Sequence, residues 1–165
     1  MDARSLAGAA AIAVTGLVLL AAPASADLIA HPAHIHTGSC PEVGDIVANL
    51  EDVVGETSPS HVGSEAAILV EASSTAVVPI SYEHLLEAPH SIVVHLGPSD
   101  EYMQVFLVCG DIGGFPLSAT DLAIGLGEID GSGYQGIATI HDDGDSATVD
   151  IDVFIAGASP QAIDE

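Results

Sequence analysis

The segment Ala147-Thr148-Val149-Asp150-Ile151-Asp152-Val153-Phe154-Ile155 constrains the fold more than any other. Val149, Ile151 and Val153 fall on one side of an extended chain, and Thr148, Asp150 and Asp152 on the other. A helix would scatter these residues around its circumference. A strand with one dry and one wet face collects them, as in an antiparallel sandwich or barrel. Similar short runs, punctuated by Gly, Pro, Asp and Ser, predict strands at Leu28–His36, Asp45–Leu50, Ala66–Glu71, Thr75–Ile80, Ser91–His95, Gln104–Cys109, Leu122–Ile129 and Tyr134–His141. His141-Asp142-Asp143-Gly144-Asp145 between two of them reads as a hairpin turn. It is too short for a calcium-binding EF-hand loop and lacks that loop's final Glu. Only Ser81–Ala88 reads as helical, with Ser81 as cap, Leu85 and Leu86 turned inward and Pro89 as the stop. The expected class is all-β: a Greek-key sandwich or flattened barrel of about eight strands, with one short helix and one disulfide.

The amino end is organised differently. Leu6–Ala22 is an apolar run, and Ala24-Ser25-Ala26 is a small-residue cleavage site before Asp27. This predicts a signal peptide over 1–26, a single domain over 27–156 and a flexible tail over 157–165. Cleaved near Ala26, the leader releases a secreted or extracytoplasmic protein; retained, it is an anchor. An exported chain meets oxidising conditions, so its only cysteines, Cys40 and Cys109, are expected to pair. Closing a loop of this size contributes about 4 kcal/mol on the chain-entropy account.

Charge limits function. The 165 residues carry 24 Asp plus Glu against a single Lys or Arg, Arg4, which departs with the leader. Nucleic-acid binding needs a basic face, as does adhesion to an anionic membrane, and neither can be built. Arginine phosphate clamps and Schiff-base lysines are excluded too. Self-repulsion at a net charge of −23 is muted in strong salt, where the Debye length falls to about 3 Å at 1 M, so the composition suits a halophilic setting.

The 8 histidines are the remaining chemistry-bearing residues. Histidine is also the only side chain of the domain able to become cationic, so some of them serve to balance carboxylates as pH falls. His34-Ile35-His36 carries more, because positions i and i+2 of a strand share a face and both imidazoles can reach one ion. His95 closes the apolar strand Ser91–His95, which could lie alongside, and a Cys40–Cys109 bridge would draw the two strands together. Three imidazoles without a thiolate suit copper or zinc. His31, three residues before His34, joins them as a fourth ligand if the strand opens with a bulge. His84 and His90 flank the helix and read as structural, and His141 lies at a solvated turn. No Gly-x-Ser-x-Gly elbow is present, and a cupredoxin would require a histidine ligand after Cys109, where Gly-Asp-Ile-Gly-Gly-Phe stands instead.

These residues resemble the copper,zinc superoxide dismutases. His34-Ile35-His36 followed by Cys40 is similar to that family's copper-binding His-x-His and first disulfide cysteine. Val93-Val94-His95 resembles the strand bearing a third copper histidine. His61-Val62-Gly63 resembles the His-Val-Gly that supplies a zinc histidine, and Cys109-Gly110-Asp111-Ile112-Gly113 resembles the segment of the second cysteine. Order and residues agree over His34–Gly113, about half of the chain. The resemblance implies a dismutase-like barrel, copper on His34, His36 and His95, and superoxide as substrate. Gly131-Ser132-Gly133-Tyr134-Gln135-Gly136-Ile137 and the strands after it resemble the family's opening hairpin moved to the carboxyl end, which implies a circular permutation. On that reading Ala147–Ile155 is expected to pair beside the His34 strand.

The resemblance stops at three places. No histidine lies between Cys40 and His61 to bridge two metals, and Ser64 stands where the family has a zinc aspartate, so the zinc site is incomplete. Phe106 occupies the place of the arginine that guides the substrate. The net charge repels an anion, where favourable steering can change on-rates by about 10–10³-fold. The expected function is therefore an exported copper-binding domain of dismutase type, with a non-enzymatic copper-binding or structural β-domain as the alternative.

Overall fold

A computed structural model describes residues 30–55, 63–64, 70 and 72–155. The leader over 1–26, the tail over 157–165, His61 and most of the strand expected at Ala66–Glu71 lie outside the described residues. In chain order the elements are β1 (Ala30–His31), β2 (Ala33–Gly38), β3 (Val43–Asn49), β4 (Val53–Gly55), β5 (Ala72–Val78), α1 (Tyr82–Glu87), β6 (His90–His95), a 3-10 turn at Tyr102–Gln104, β7 (Phe106–Asp111), β8 (Phe115–Pro116), β9 (Asp121–Glu128), β10 (Tyr134–Asp142) and β11 (Ala147–Ile155). Every pairing is antiparallel. The strands follow one another across the sheet as β1-β4-β5-β11-β10-β9-β7-β6-β2-β3, with β8 on β9.

The all-β expectation holds, and the sheet is a curled half-barrel. Pro32 marks the corner between its two ends. It has no amide to donate, so it interrupts the strand expected at Leu28–His36. The chain leaves β1 at one end of the strand order and enters β2 next to the other end, which brings those ends together. His95 N–H donates to the Pro32 carbonyl at 2.8 Å and Leu50 N–H to the Ala33 carbonyl at 2.9 Å, fixing this corner.

The alternation of β11 has its expected consequence: Ala147, Val149, Ile151 and Val153 are buried in the core, joined by Ala138 and Ile140 of β10 and Leu122, Ile124 and Leu126 of β9. A Cβ on Gly110 would lie 2.5 Å from the Gly125 carbonyl and 2.7 Å from Leu126 Cδ2, so only glycine lets β7 approach β9 this closely. The turn after His141 is a turn: Asp143 N–H donates to the Ser146 carbonyl at 3.0 Å, and Gly144 adopts φ 86°. Ser81 caps α1 by accepting from His84 N–H at 3.2 Å, and Leu85 is its buried residue. Leu86, expected inward, is 45% exposed, because a helix of 6 residues turns only one narrow stripe to the sheet.

One pairing expectation fails. β11 lies between β10 and β5, with Ala147 opposite Asp142 and Val78, and makes no ladder with β2. The neighbours of β2 are β3 and β6. Both edges of each strand are thus occupied: β10 and β3 reach β11 and β2 through short connections, and β5 and β6 take the remaining sides. The carboxyl-terminal hairpin does form, but it joins the histidine half through β9 and β7, so the circular permutation that required this pairing is not supported.

Candidate metal centre

On β2, Ala33 and Ile35 enter the hydrophobic core, so the alternating His34 and His36 face the other way. On β6, Ile92 and Val94 enter the core and His95 shares the opposite face with Ser91 and Val93. The ladder sets His34 opposite Val93 and His36 opposite Ser91, so both strands carry their imidazoles onto one patch. That patch is closed to solvent, with His34 8%, His36 6% and His95 2% exposed.

The three rings converge. Centroid separations are 4.9 Å for His34–His95, 5.8 Å for His34–His36 and 5.9 Å for His36–His95. One nitrogen from each lies within 4.8 Å of the others, close to the roughly 4 Å that two metal–nitrogen bonds of about 2.0–2.1 Å can span. Among the described residues no other cluster of His, Cys, Asp or Glu has this compactness. The sequence grouping of His34, His36 and His95 is therefore a spatial one.

Backbone carbonyls decide which nitrogens face inward. His36 Nδ1–H donates to the Gly44 carbonyl at 2.9 Å, and His95 Nδ1–H to the Met103 carbonyl at 2.7 Å. A neutral imidazole has one N–H, so each of these rings presents a bare Nε2 lone pair to the centre. His34 presents Nδ1, 3.0 Å from His95 Nε2. Without a metal, His34 Nδ1–H donates across that gap; with one, its proton belongs on Nε2. His36 Nε2 is buried and has no hydrogen-bond partner among the described residues. Such an orphan costs about 1–3 kcal/mol, and a cation bound by its lone pair removes that cost.

Electrostatics keep the rings ready to bind. Burial pushes His95 down to about 4, against the pull of its bond to the Met103 carbonyl, and His34 and His36 add to the lowering. His34 is also lowered by burial and then by His36, with Asp52 opposing. At neutral pH both are uncharged and lose no proton to accept a metal. Cys40 and Cys109 form the expected disulfide, with Cα atoms 5.9 Å apart across a sequence separation of 69. It ties the end of β2 to β7, the neighbour of β6, and leaves no free thiol to compete for the ion.

His31 does not join the group. Pro32 takes it into β1, where its Nδ1–H donates to the Leu96 carbonyl at 2.8 Å and its ring lies 6.3 Å from that of Tyr134. The break is a proline rather than a bulge, so the side chain leaves the face of His34. His90 Nδ1–H donates to the Leu85 carbonyl at 3.1 Å, and His84 lies on the surface against Glu87 at 3.2 Å. His141 is exposed and hydrogen-bonded to Asp121, which raises the imidazole pKa; Asp121 is lowered first by Ser118 and then by His141. Phe106, of intermediate burial, packs edge-to-face with His95 at 5.1 Å and 87°. Gly44 and Met103 orient two of the rings and escape sequence reasoning, because both act through carbonyls that every residue type possesses.

No protein-family model matches the chain, and neither a curated protein nor a solved structure matches it.

Proposed function

We propose that this chain is an exported copper-binding domain of superoxide dismutase type, with His34 Nδ1, His36 Nε2 and His95 Nε2 as ligands. The observation that carries the reading is the bare, buried and unpartnered Nε2 of His36, aimed at two further imidazoles. A set of three nitrogens without thiolate or carboxylate suits copper, and the dismutase-like order of His34, His36, Cys40, His95 and Cys109 selects it over zinc. Copper would supply one-electron exchange, oxidising one superoxide and reducing the next. The chain's own contribution is orientation: Gly44 and Met103 fix two tautomers, and burial keeps the imidazoles neutral.

A second reading, copper binding without catalysis, is favoured by Phe106. An apolar ring on His95, in a domain without Lys or Arg, offers an incoming anion no cation. Copper titration into purified protein, followed by superoxide decay at low and high salt, separates the two. Stoichiometric binding lost in His36→Ala and His95→Ala, with decay that accelerates in salt, is the expected result. Binding without activity at any salt leaves the non-enzymatic domain, and binding unchanged in both variants ends the metal reading.

A further inference from the structure

A cavity of about 460 Å³ opens beside Phe106, whose other contact is the edge-to-face packing against His95. Its walls include Leu96, Phe106, Leu107, Ile129 and Tyr134, and Asp130 lines it as well. We propose that this cavity binds an organic cation: an alkyl- or arylammonium whose apolar part lies on these walls and whose charge faces Asp130.

The argument is one of complementarity. Among the described residues there is no Lys or Arg, so an anionic ligand would enter an apolar space with no countercharge and against the field of the whole molecule. A cation meets the opposite situation. Asp130 supplies a carboxylate in the lining. Phe106 and Tyr134 supply aromatic rings, which attract ammonium groups through their faces. A bare metal ion or ammonium would leave the walls of Leu96, Leu107 and Ile129 unused, which selects an organic cation over an inorganic one.

The position of Asp130 is fixed by its turn. Asp130 at φ 50° and Gly131 at φ 75° are the central residues between Ile129 and Ser132, whose N–H donates to the Ile129 carbonyl at 3.0 Å. Asp and Asn tolerate this backbone, so Asp130→Asn removes the charge and keeps the turn.

The probe is benzyltrimethylammonium, titrated at constant ionic strength into the disulfide-bonded protein and followed by calorimetry and by backbone amide shifts. Benzyl alcohol keeps the ring and drops the charge. Expected are shifts centred on Phe106, Leu107 and Tyr134, at least about tenfold weaker binding of benzyl alcohol, and a loss of about threefold to fivefold in Asp130→Asn. Asp152→Asn, the same charge change on the outer face of β11, should bind as the parent does. Equal binding of benzyl alcohol, an equal loss in Asp152→Asn, or shifts spread over the carboxylate surface would each overturn the assignment. Because none of these readouts involves copper, the result is independent of the fate of the metal centre.

Discussion

Acidification of the metal-free protein should unfold it through His95. In the unfolded chain this imidazole accepts a proton near 6.5, and in the folded one burial holds it back until about 4. The folded pKa is depressed, so the unfolded state binds more protons throughout that window. Stability is therefore full above about pH 6.5 and is lost as pH falls toward 4. The separation corresponds to about 3 kcal/mol in total, of which about 2.5 is gone by pH 4.5. His34, lowered for the same reason, adds in the same direction. Urea midpoints by circular dichroism, measured after chelation, in strong salt and between pH 7.5 and 4.5, should fall steadily. His95→Gln should flatten most of that slope, and copper should raise the midpoint across the upper part of the range. A midpoint independent of pH, or an unchanged slope in His95→Gln, would refute the argument that burial of this ring governs acid stability.

Three further outcomes follow from the same geometry. Replacing Cys40 and Cys109 together by Ser should cost about 4 kcal/mol in urea unfolding, since a loop of 69 residues is released; it should also weaken copper binding, because β2 loses its tie to β7. A Cβ on Gly44 would lie 2.4 Å from Thr37 Oγ1 and 3.3 Å from the Thr37 carbonyl, so Gly44→Ala turns the Thr37 hydroxyl aside and pushes β3 away from β2 by a few tenths of an ångström, shifting the carbonyl that orients His36. Copper affinity should drop about 10–100-fold while circular dichroism stays that of the parent, a separation that random packing damage would not give. Thermal midpoints should rise as NaCl goes from about 0.1 to 2 M, because screening relieves self-repulsion; a flat response would contradict the account of the charge.

The parts of the fold legible in the sequence are those written by alternation. β11 shows its buried and wet faces residue by residue, and β2 shows its imidazoles at i and i+2. β4 and β8, three and two residues long, are too short for any period to register. Gln104 passes for the start of a strand because its side chain does not reveal that Val105 N–H closes a turn on the Tyr102 carbonyl at 3.1 Å. Pro32 is visible in the sequence, yet the three-residue spacing groups His31 with His34, because spacing along a chain says nothing about which edge of a curled sheet the chain enters next. Pairing between strands distant in sequence has the same character. Nothing within Ala147–Ile155 itself distinguishes β5 from β2 as its neighbour.

The surface and the three-histidine cluster of this protein pull in different directions, and the cluster tolerates this because it is buried. A field of 24 carboxylates attracts a metal cation and, unscreened, would favour scattered surface sites for it. Those sites are carboxylates in water, with low affinity and strong dependence on salt. The three imidazoles are shielded from solvent, two are aligned by carbonyls, and those shown to be shifted are shifted toward their neutral form. Strong salt weakens the competing surface sites while leaving bonds from neutral nitrogen unaffected. The fraction of bound copper held by His34, His36 and His95 should therefore grow with ionic strength. For an anion such as superoxide, by contrast, salt only removes repulsion. The composition that draws cations to the molecule thus gives an anion of this kind no attraction, and burial alone sets the three imidazoles apart from the surface.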